Sequence, residues 1–373
     1  MKGQRRFYDI DWLRVIGMMI IFLFHNARYF NEDDWHVKNL ELSFEMSVFV
    51  AILDHFIMPL FFVLSALAAY HALRKRTNTE FIRERVNRLL IPLVVGIFTH
   101  CIVQIHIENI THNRFSGTFW QFIPHYFEGW YGFGGNFAWM GLHLWYLLML
   151  FLFSWMMLTA FRRLQHAHEF TTRLADGVTK LFGPYLFILP LFITELLVST
   201  SPETIGRQSF GGWSPLTYLV FFVVGFLLVT DGRYGPAIQK IRFISLASSL
   251  LTIVAGYILL VEMDLPESNP LYLLIRVTNS WCWILTFIGF ASRHLNFTNH
   301  FLKYANEAVL PFYILHQTVI VTIGYFIREW SWPIIPKYVF LATTSFILIM
   351  VMVEFVVKRV KLLRYLFGMK AQI

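Results

Sequence analysis

The sequence predicts an all-α protein, a polytopic transmembrane helical bundle of about ten transmembrane helices with both termini cytoplasmic. Three observations carry that expectation. First, 57% of the 373 residues are hydrophobic, only 14% are charged, and the mean hydropathy is +0.55, whereas a soluble domain needs roughly a quarter of its residues charged. Second, apolar windows recur near 12 to 30, 46 to 73, 89 to 108, 139 to 160, 181 to 199, 214 to 230, 243 to 262, 271 to 291, 307 to 327 and 337 to 357. Each is long enough to cross a hydrocarbon core about 30 Å thick. Third, 24 of the 31 lysines and arginines fall on one side of these windows, among them Lys2, Arg5, Arg6, Arg74, Arg85, Arg88, Lys358 and Lys370. The other side carries Glu32, Asp33, Asp34, Glu41, Glu45, Glu203, Glu262, Asp264 and Glu267. The positive-inside rule then puts both ends in the cytoplasm and makes the net charge of +8 a sign of topology in a multi-pass inner (plasma) membrane protein. No segment is long enough for a basic soluble module, so nucleic acid is not an expected partner. Residues 1–373 read as a single membrane domain.

In the first span Arg14 and His25 stand eleven residues apart, close to three helical turns, so both face one way. The rise per residue separates them by roughly 16 Å, with Asp11 a turn before Arg14. Ionisable side chains at membrane depth cost a few kcal/mol on insertion scales, so this seam points to chemistry or transport. Lys2, Arg5 and Arg6 ahead of it imitate a secretory signal, but the long apolar run and the absence of a small-residue cleavage pattern argue for a retained helix.

The second span has Asp54 and His55 near its outer end and Ser65-Ala66 directly after Pro59-Leu60-Phe61-Phe62-Val63-Leu64, where small residues permit close helix contact. Ahead of the third, Arg85 and Arg88 are three apart at the cytoplasmic mouth, and arginine's planar fork suits phosphate better than a topogenic role requires. The loop 109–139, rich in Trp and Gly, suits an interfacial or re-entrant cap, or equally an aromatic belt. His143 and Trp145 open the fourth span, Glu195 lies in the fifth, and Asn306, Glu307 and His316 mark the ninth. Cys101 and Cys282 fall in spans and read as small packing groups. His106 and His112 are six apart and His166 and His168 two apart, so no helical zinc pair forms and no metal is expected.

Taken in order, Asp9-Ile10-Asp11-Trp12-Leu13-Arg14 leading to His25, then Phe61 to Ser65, Arg85 and Arg88 before Leu89-Leu90-Ile91-Pro92, His143 to Leu147, and Asn306 through His316 resemble the acyltransferase 3 family of integral membrane acyltransferases. The ten-span layout resembles its glucan-biosynthesis branch. The resemblance implies acyl-CoA (acetyl-CoA or succinyl-CoA) as a cytoplasmic donor, a carbohydrate hydroxyl as acceptor, the lipid bilayer as surroundings and glycan-synthesis proteins as partners. It makes His25 the general base, with Ser65, Asp54 and His316 as further catalytic candidates. Arg14, Asp11, Arg85 and Arg88 become donor-binding candidates, and His143, Trp145 and Arg28 substrate-binding ones; Arg28 is the basic group that would favour a succinyl carboxylate. Where the family usually has Ser-Gly, this chain has Ser65-Ala66.

Three other readings compete. A histidine–asparagine membrane acyltransferase would use His316 with Asn306, leaving the Arg14 to His25 seam unexplained. A proton-coupled exporter of a glycan or lipid would line its path with Arg14 and His25, but calls for inverted repeats that are not evident. A purely structural protein would keep Arg14, His25, Asp54, Glu195 and His316 off its buried faces.

Overall fold

The computed structural model describes residues 7–180, 183–200 and 211–369. Lys2, Arg5, Arg6, Glu203 and Lys370, used above for orientation, lie outside the described residues. The described chain is helical, with one isolated bridge, Trp130 to Phe137.

In chain order the helices are α1 (Tyr8–Arg28), α2 (Phe44–Asp54), α3 (Ile57–Leu73), α4 (Asn78–Arg85), α5 (Ile91–Thr111), α6 (Phe119–Tyr126), α7 (Trp145–Met156), α8 (Leu158–His166), α9 (His168–Lys180), α10 (Ile188–Ser199), α11 (Pro215–Leu227), α12 (Tyr234–Tyr257), α13 (Pro270–His294), α14 (His300–Ile327), α15 (Ile334–Val351) and α16 (Lys361–Leu366). Several starts are written in the sequence. Ser214-Pro215 and Asn269-Pro270 place a capping oxygen on the Leu216 and Leu271 amides, with proline at the first helical position. Thr118 and Gln121 cap each other's backbone at the start of α6.

Among the described residues, seven helices are long and apolar enough to cross a membrane, or up to nine if each bent pair counts as one span. The expected ten diverge from this where regular helix breaks. The fourth span is a bent pair, Leu142–Met156 and Leu158–His166, turning by 53°. The fifth is likewise paired with α9, and the sixth is the short α11. The second span holds as 44–73, with its break at His55 and Phe56.

The chain forms two compact units: Met1–Gly17 with Asp54–Phe81 and Phe153–Lys303, and Met18–Leu53 with Ile82–Leu152 and Tyr304–Ile373. In the first unit α12 pairs with α13 and α3 with α11. Asn279 Nδ2 donates to the Ser249 carbonyl at 2.7 Å, the kind of interhelical polar bond that holds helices where apolar burial gives no driving force. Gly225 on α11 lets that helix approach α3 so closely that a Cβ there would lie 2.8 Å from the Val63 backbone and 3.1 Å from the Ala66 methyl. The methyl that departs from Ser-Gly is therefore absorbed by a glycine on the facing helix.

In the second unit Tyr29 at the end of α1 is fully buried and donates to the Gly324 carbonyl of α14 at 2.8 Å. A cluster of Cys101, Ile102, Ile105, Phe122, Tyr126 and Ala138 packs α6 against α5. The 109–139 segment thus packs through α6 against α5, with Trp120, Trp130 and Phe133 left exposed. Cys101 and Cys282 are buried free thiols.

Candidate active site

Three histidines from distant parts of the sequence meet in the second unit. His25 lies near the end of α1, His316 midway along α14, and His143 in the 3-10 turn that leads into Trp145 and α7. The ring centroids are 4.8 Å apart for His25 and His316 and 5.0 Å for His143 and His316. Gly141 (φ +81°) and Leu142 (φ +50°) reverse the chain just before His143. A left-handed Leu costs about 1 to 3 kcal/mol, and such strain persists only where surrounding packing fixes it.

Hydrogen bonds set the tautomers. His316 Nδ1 donates to the Tyr313 carbonyl at 2.5 Å, so its Nε2 keeps a lone pair. That nitrogen stands 3.1 Å from His25 Nδ1, which also faces the Ile21 carbonyl at 3.0 Å. Both neighbours accept, so His25 Nδ1 carries the proton and His25 Nε2 is the basic nitrogen. His143 Nε2 donates to the Ile314 carbonyl at 3.2 Å, and the Tyr313 hydroxyl donates to the His143 carbonyl. His316 and His143 are buried, whereas His25 is half-buried. Of the three, His25 is the most exposed.

Around this trio the unit is polar in a way the sequence motifs do not announce. Gln317 donates to Gln104 at 2.9 Å and Gln104 to Thr318 at 2.7 Å. The Trp35 ring lies 6.3 Å from that of His25. Next to it, buried His36 bonds Glu108 at 2.5 Å, and Glu108 also takes the Tyr131 hydroxyl at 3.0 Å. Burial, and then the Glu108 carboxylate, push the Tyr131 phenol well up. Gln104, Gln317, His36 and Glu108 are not marked by the sequence motifs, whereas Tyr313 lies within the Asn306 to His316 stretch. The only signal for them was polar residues at helical spacing from His316 and within the third span.

Arg28 ends α1 with its guanidinium engaged, donating to Asp33 at 2.9 Å and to the Asp34 carbonyl at 2.7 Å. Arg85 closes α4, and Arg88 lies in a π turn, Val86–Leu90, 3.8 Å from Glu84. The wider turn rotates Arg88 off the line that α-helical spacing gives it, and such turns recur at functional sites. Glu307 pairs with Arg364 at 3.0 Å.

The remaining candidates belong to the first unit. Arg14 pairs with Asp11 a turn earlier on α1. Ser65 is half-buried on α3. Asp54 borders Gly212 (φ +79°) together with Arg276, whose guanidinium stacks 4.2 Å over Trp213, donates to the Gly212 carbonyl and lies 3.9 Å from buried Glu195. The sequence flagged Asp54 and Glu195 as costly but not the cation between them. Among the described residues no three His, Cys, Asp or Glu groups are placed to hold a metal.

Long apolar helices around a histidine pair, in which one imidazole accepts from the other, define an integral membrane protein with a polar site inside its helices. The family described as Acyltransferase domain, the acyltransferase 3 family, matches residues 7–354, and the chain belongs to it: this is a membrane acyltransferase. It is similar to Glucans biosynthesis protein C of Escherichia coli K12, 23% identical over 347 residues, covering 87% of this chain and 84% of that protein. The same-named protein of Escherichia coli O81 strain ED1a is 22% identical over 349 residues at the same coverage. No solved structure matches.

Proposed function

We propose that the protein transfers an acyl group, acetyl or succinyl, from cytoplasmic acyl-CoA to a carbohydrate hydroxyl on the outer side of the inner membrane. The observation that carries this is the His316 Nε2 to His25 Nδ1 bond, which leaves His25 Nε2 basic and reachable. Family membership and the similarity to Glucans biosynthesis protein C support a glucan or a surface polysaccharide as acceptor.

In the proposed reaction His25 Nε2 takes the proton of the attacking hydroxyl as its oxygen bonds the thioester carbonyl carbon. The tetrahedral intermediate collapses, the carbon–sulfur bond breaks, and the imidazolium returns its proton to the departing thiolate. His316 accepts from Nδ1 throughout, holding the ring and its tautomer. Arg85 and Arg88 bind the donor's phosphates, since guanidinium pairs with phosphate through two parallel bonds. Ser65, Asp54, Asp11 and Arg14 keep the parts that the family resemblance gives them. Both termini are placed in the cytoplasm and the whole chain acts as one membrane domain.

Purified protein in lipid nanodiscs, given acetyl-CoA or succinyl-CoA, tests this through release of free CoA thiol. The expected result is release that needs a glucan acceptor and prefers one of the two donors. Absence of glucan-stimulated release with both donors contradicts it.

A further inference from the structure

A groove of about 650 Å³ opens at the ends of α1, α14 and α15 in the second unit, lined by Asn39, Glu41, Glu329, Trp330, Ser331 and Trp332 among others. None of the residues discussed so far accounts for it. Trp330 and Trp332 are 41% and 46% exposed, and each ring packs against Phe340, at 5.3 and 5.6 Å. The two indoles, 5.3 Å apart and tilted by 52°, form a shelf rather than a closed cage.

The groove is built at a cost. Beneath it Lys337, only 1% exposed, spends its ammonium on three oxygens: Asn39 Oδ1 at 2.6 Å and the carbonyls of Arg328 at 3.0 Å and Trp330 at 2.8 Å. Burying a cation on neutral acceptors is expensive. What it secures here is the joining of the 328–330 turn to the loop after α1. Asn39 extends the tie by donating to the Glu41 carbonyl at 2.8 Å, and its own amide bonds the Tyr29 carbonyl at 2.9 Å, one turn beyond His25. The walls are therefore fixed in place before any ligand arrives.

The lining chemistry selects the ligand. Two exposed carboxylates, Glu41 and Glu329, only accept hydrogen bonds, and among the described lining residues there is no lysine or arginine. An anionic headgroup is repelled by such a surface. A small quaternary cation would want aromatic rings wrapped about one point, whereas these two adjacent indoles form an open shelf. A neutral oligosaccharide fits both the carboxylates and the indoles: its hydroxyls donate to the carboxylates, and its electropositive C–H faces rest on the negative faces of the indoles.

We propose that this groove is the acceptor platform, binding a neutral oligosaccharide and presenting its hydroxyls toward the histidines. This rests on the acyltransferase reading given above. Trp330 lies fourteen residues beyond His316, eleven of them helical, so the platform stands roughly 16 Å farther along α14 than His316. A chain of several sugar units, rather than a monosaccharide, is the ligand of matching reach.

The test measures binding of a ladder of neutral gluco-oligosaccharides to the nanodisc-held protein by calorimetry, in wild type, Trp330→Ala with Trp332→Ala, and Glu329→Gln. Affinity should rise with oligosaccharide length. It should fall at least about ten-fold in the double tryptophan variant, and measurably in Glu329→Gln. All three substituted groove residues are exposed, so folding is spared. Equal binding by wild type and groove variants overturns the platform while leaving the acyltransferase reading intact. Oligosaccharide binding that choline displaces makes the groove a cation site and also overturns it. Groove-dependent binding without any glucan-stimulated CoA release would instead sink the proposed transfer to a glucan and leave the groove as an oligosaccharide site with no acceptor role.

Discussion

His316 Nε2 faces His25 Nδ1 at 3.1 Å, although 291 positions separate them in the chain. With its own Nδ1 held by the Tyr313 carbonyl, His316 can only accept, and this fixes where the His25 proton sits. In the reaction proposed above, this makes His316 a positioning residue and His25 the base that meets the acceptor hydroxyl.

His316→Ala should lower kcat by about ten- to a hundred-fold, with less effect on KM, while His316→Gln, which keeps an acceptor oxygen, recovers part of the loss. Because the tautomer changes, the acidic limb of the kcat–pH profile should move in His316→Ala. A variant with wild-type kcat and an unmoved pH profile would reduce His316 to packing.

Arg85→Ala is expected to raise KM for acyl-CoA about ten-fold or more at nearly constant kcat, since a hydrogen bond between charged groups is worth about 1.5 to 3 kcal/mol and the phosphates lie far from the reacting carbon. Arg88→Ala should act in the same direction. Steady-state titration of the donor checks both, and an unchanged KM would assign these arginines to topology.

Gly225→Val should destabilise the first unit by about 1 to 3 kcal/mol through overpacking, because the new side chain would start 2.8 Å from the Val63 backbone. Adding Ala66→Gly removes only one of the crowding groups, so it should restore only part of the loss. Thermal unfolding in detergent follows the series; full tolerance of valine would refute the tight α3–α11 contact.

Lys38 lies outside the spans, and burial, followed by the nearby Arg28 charge, pushes its ammonium down to about 7. Between about pH 7 and the ordinary lysine value of about 10.5 the unfolded chain therefore binds more protons than the folded one, so stability should rise with pH across that window. Below pH 7 both states are protonated and the slope vanishes. Melting temperatures of Lys38→Met should show a flatter rise than wild type over the same range, and parallel curves would remove Lys38 as the cause.

Much of this arrangement is legible in the sequence. Apolar windows reveal the long helices because lipid exposure demands them, and Ser214-Pro215 and Asn269-Pro270 mark two starts. His25 and His316 are conspicuous because histidine is costly at depth. What one dimension hides is contact across it. Nothing near Ala66 indicates that Gly225 makes room for its methyl, and nothing near Asp54 indicates Arg276. The π turn at Arg88 and the bend after Met156 are equally invisible, since both are departures from regular geometry that composition does not encode. Glu307 has no local explanation either; its partner Arg364 is 57 residues away.

The most direct measurement is mass spectrometry of periplasmic glucans and surface polysaccharides from cells with the protein, without it, and with His25→Ala. The account predicts an acetyl- or succinyl-sized mass that disappears with the protein and that His25→Ala, present in the membrane at wild-type level, fails to restore, its rate being about 10² to 10⁴-fold lower. An unchanged glycan profile in all three strains, or full restoration by His25→Ala, would contradict it.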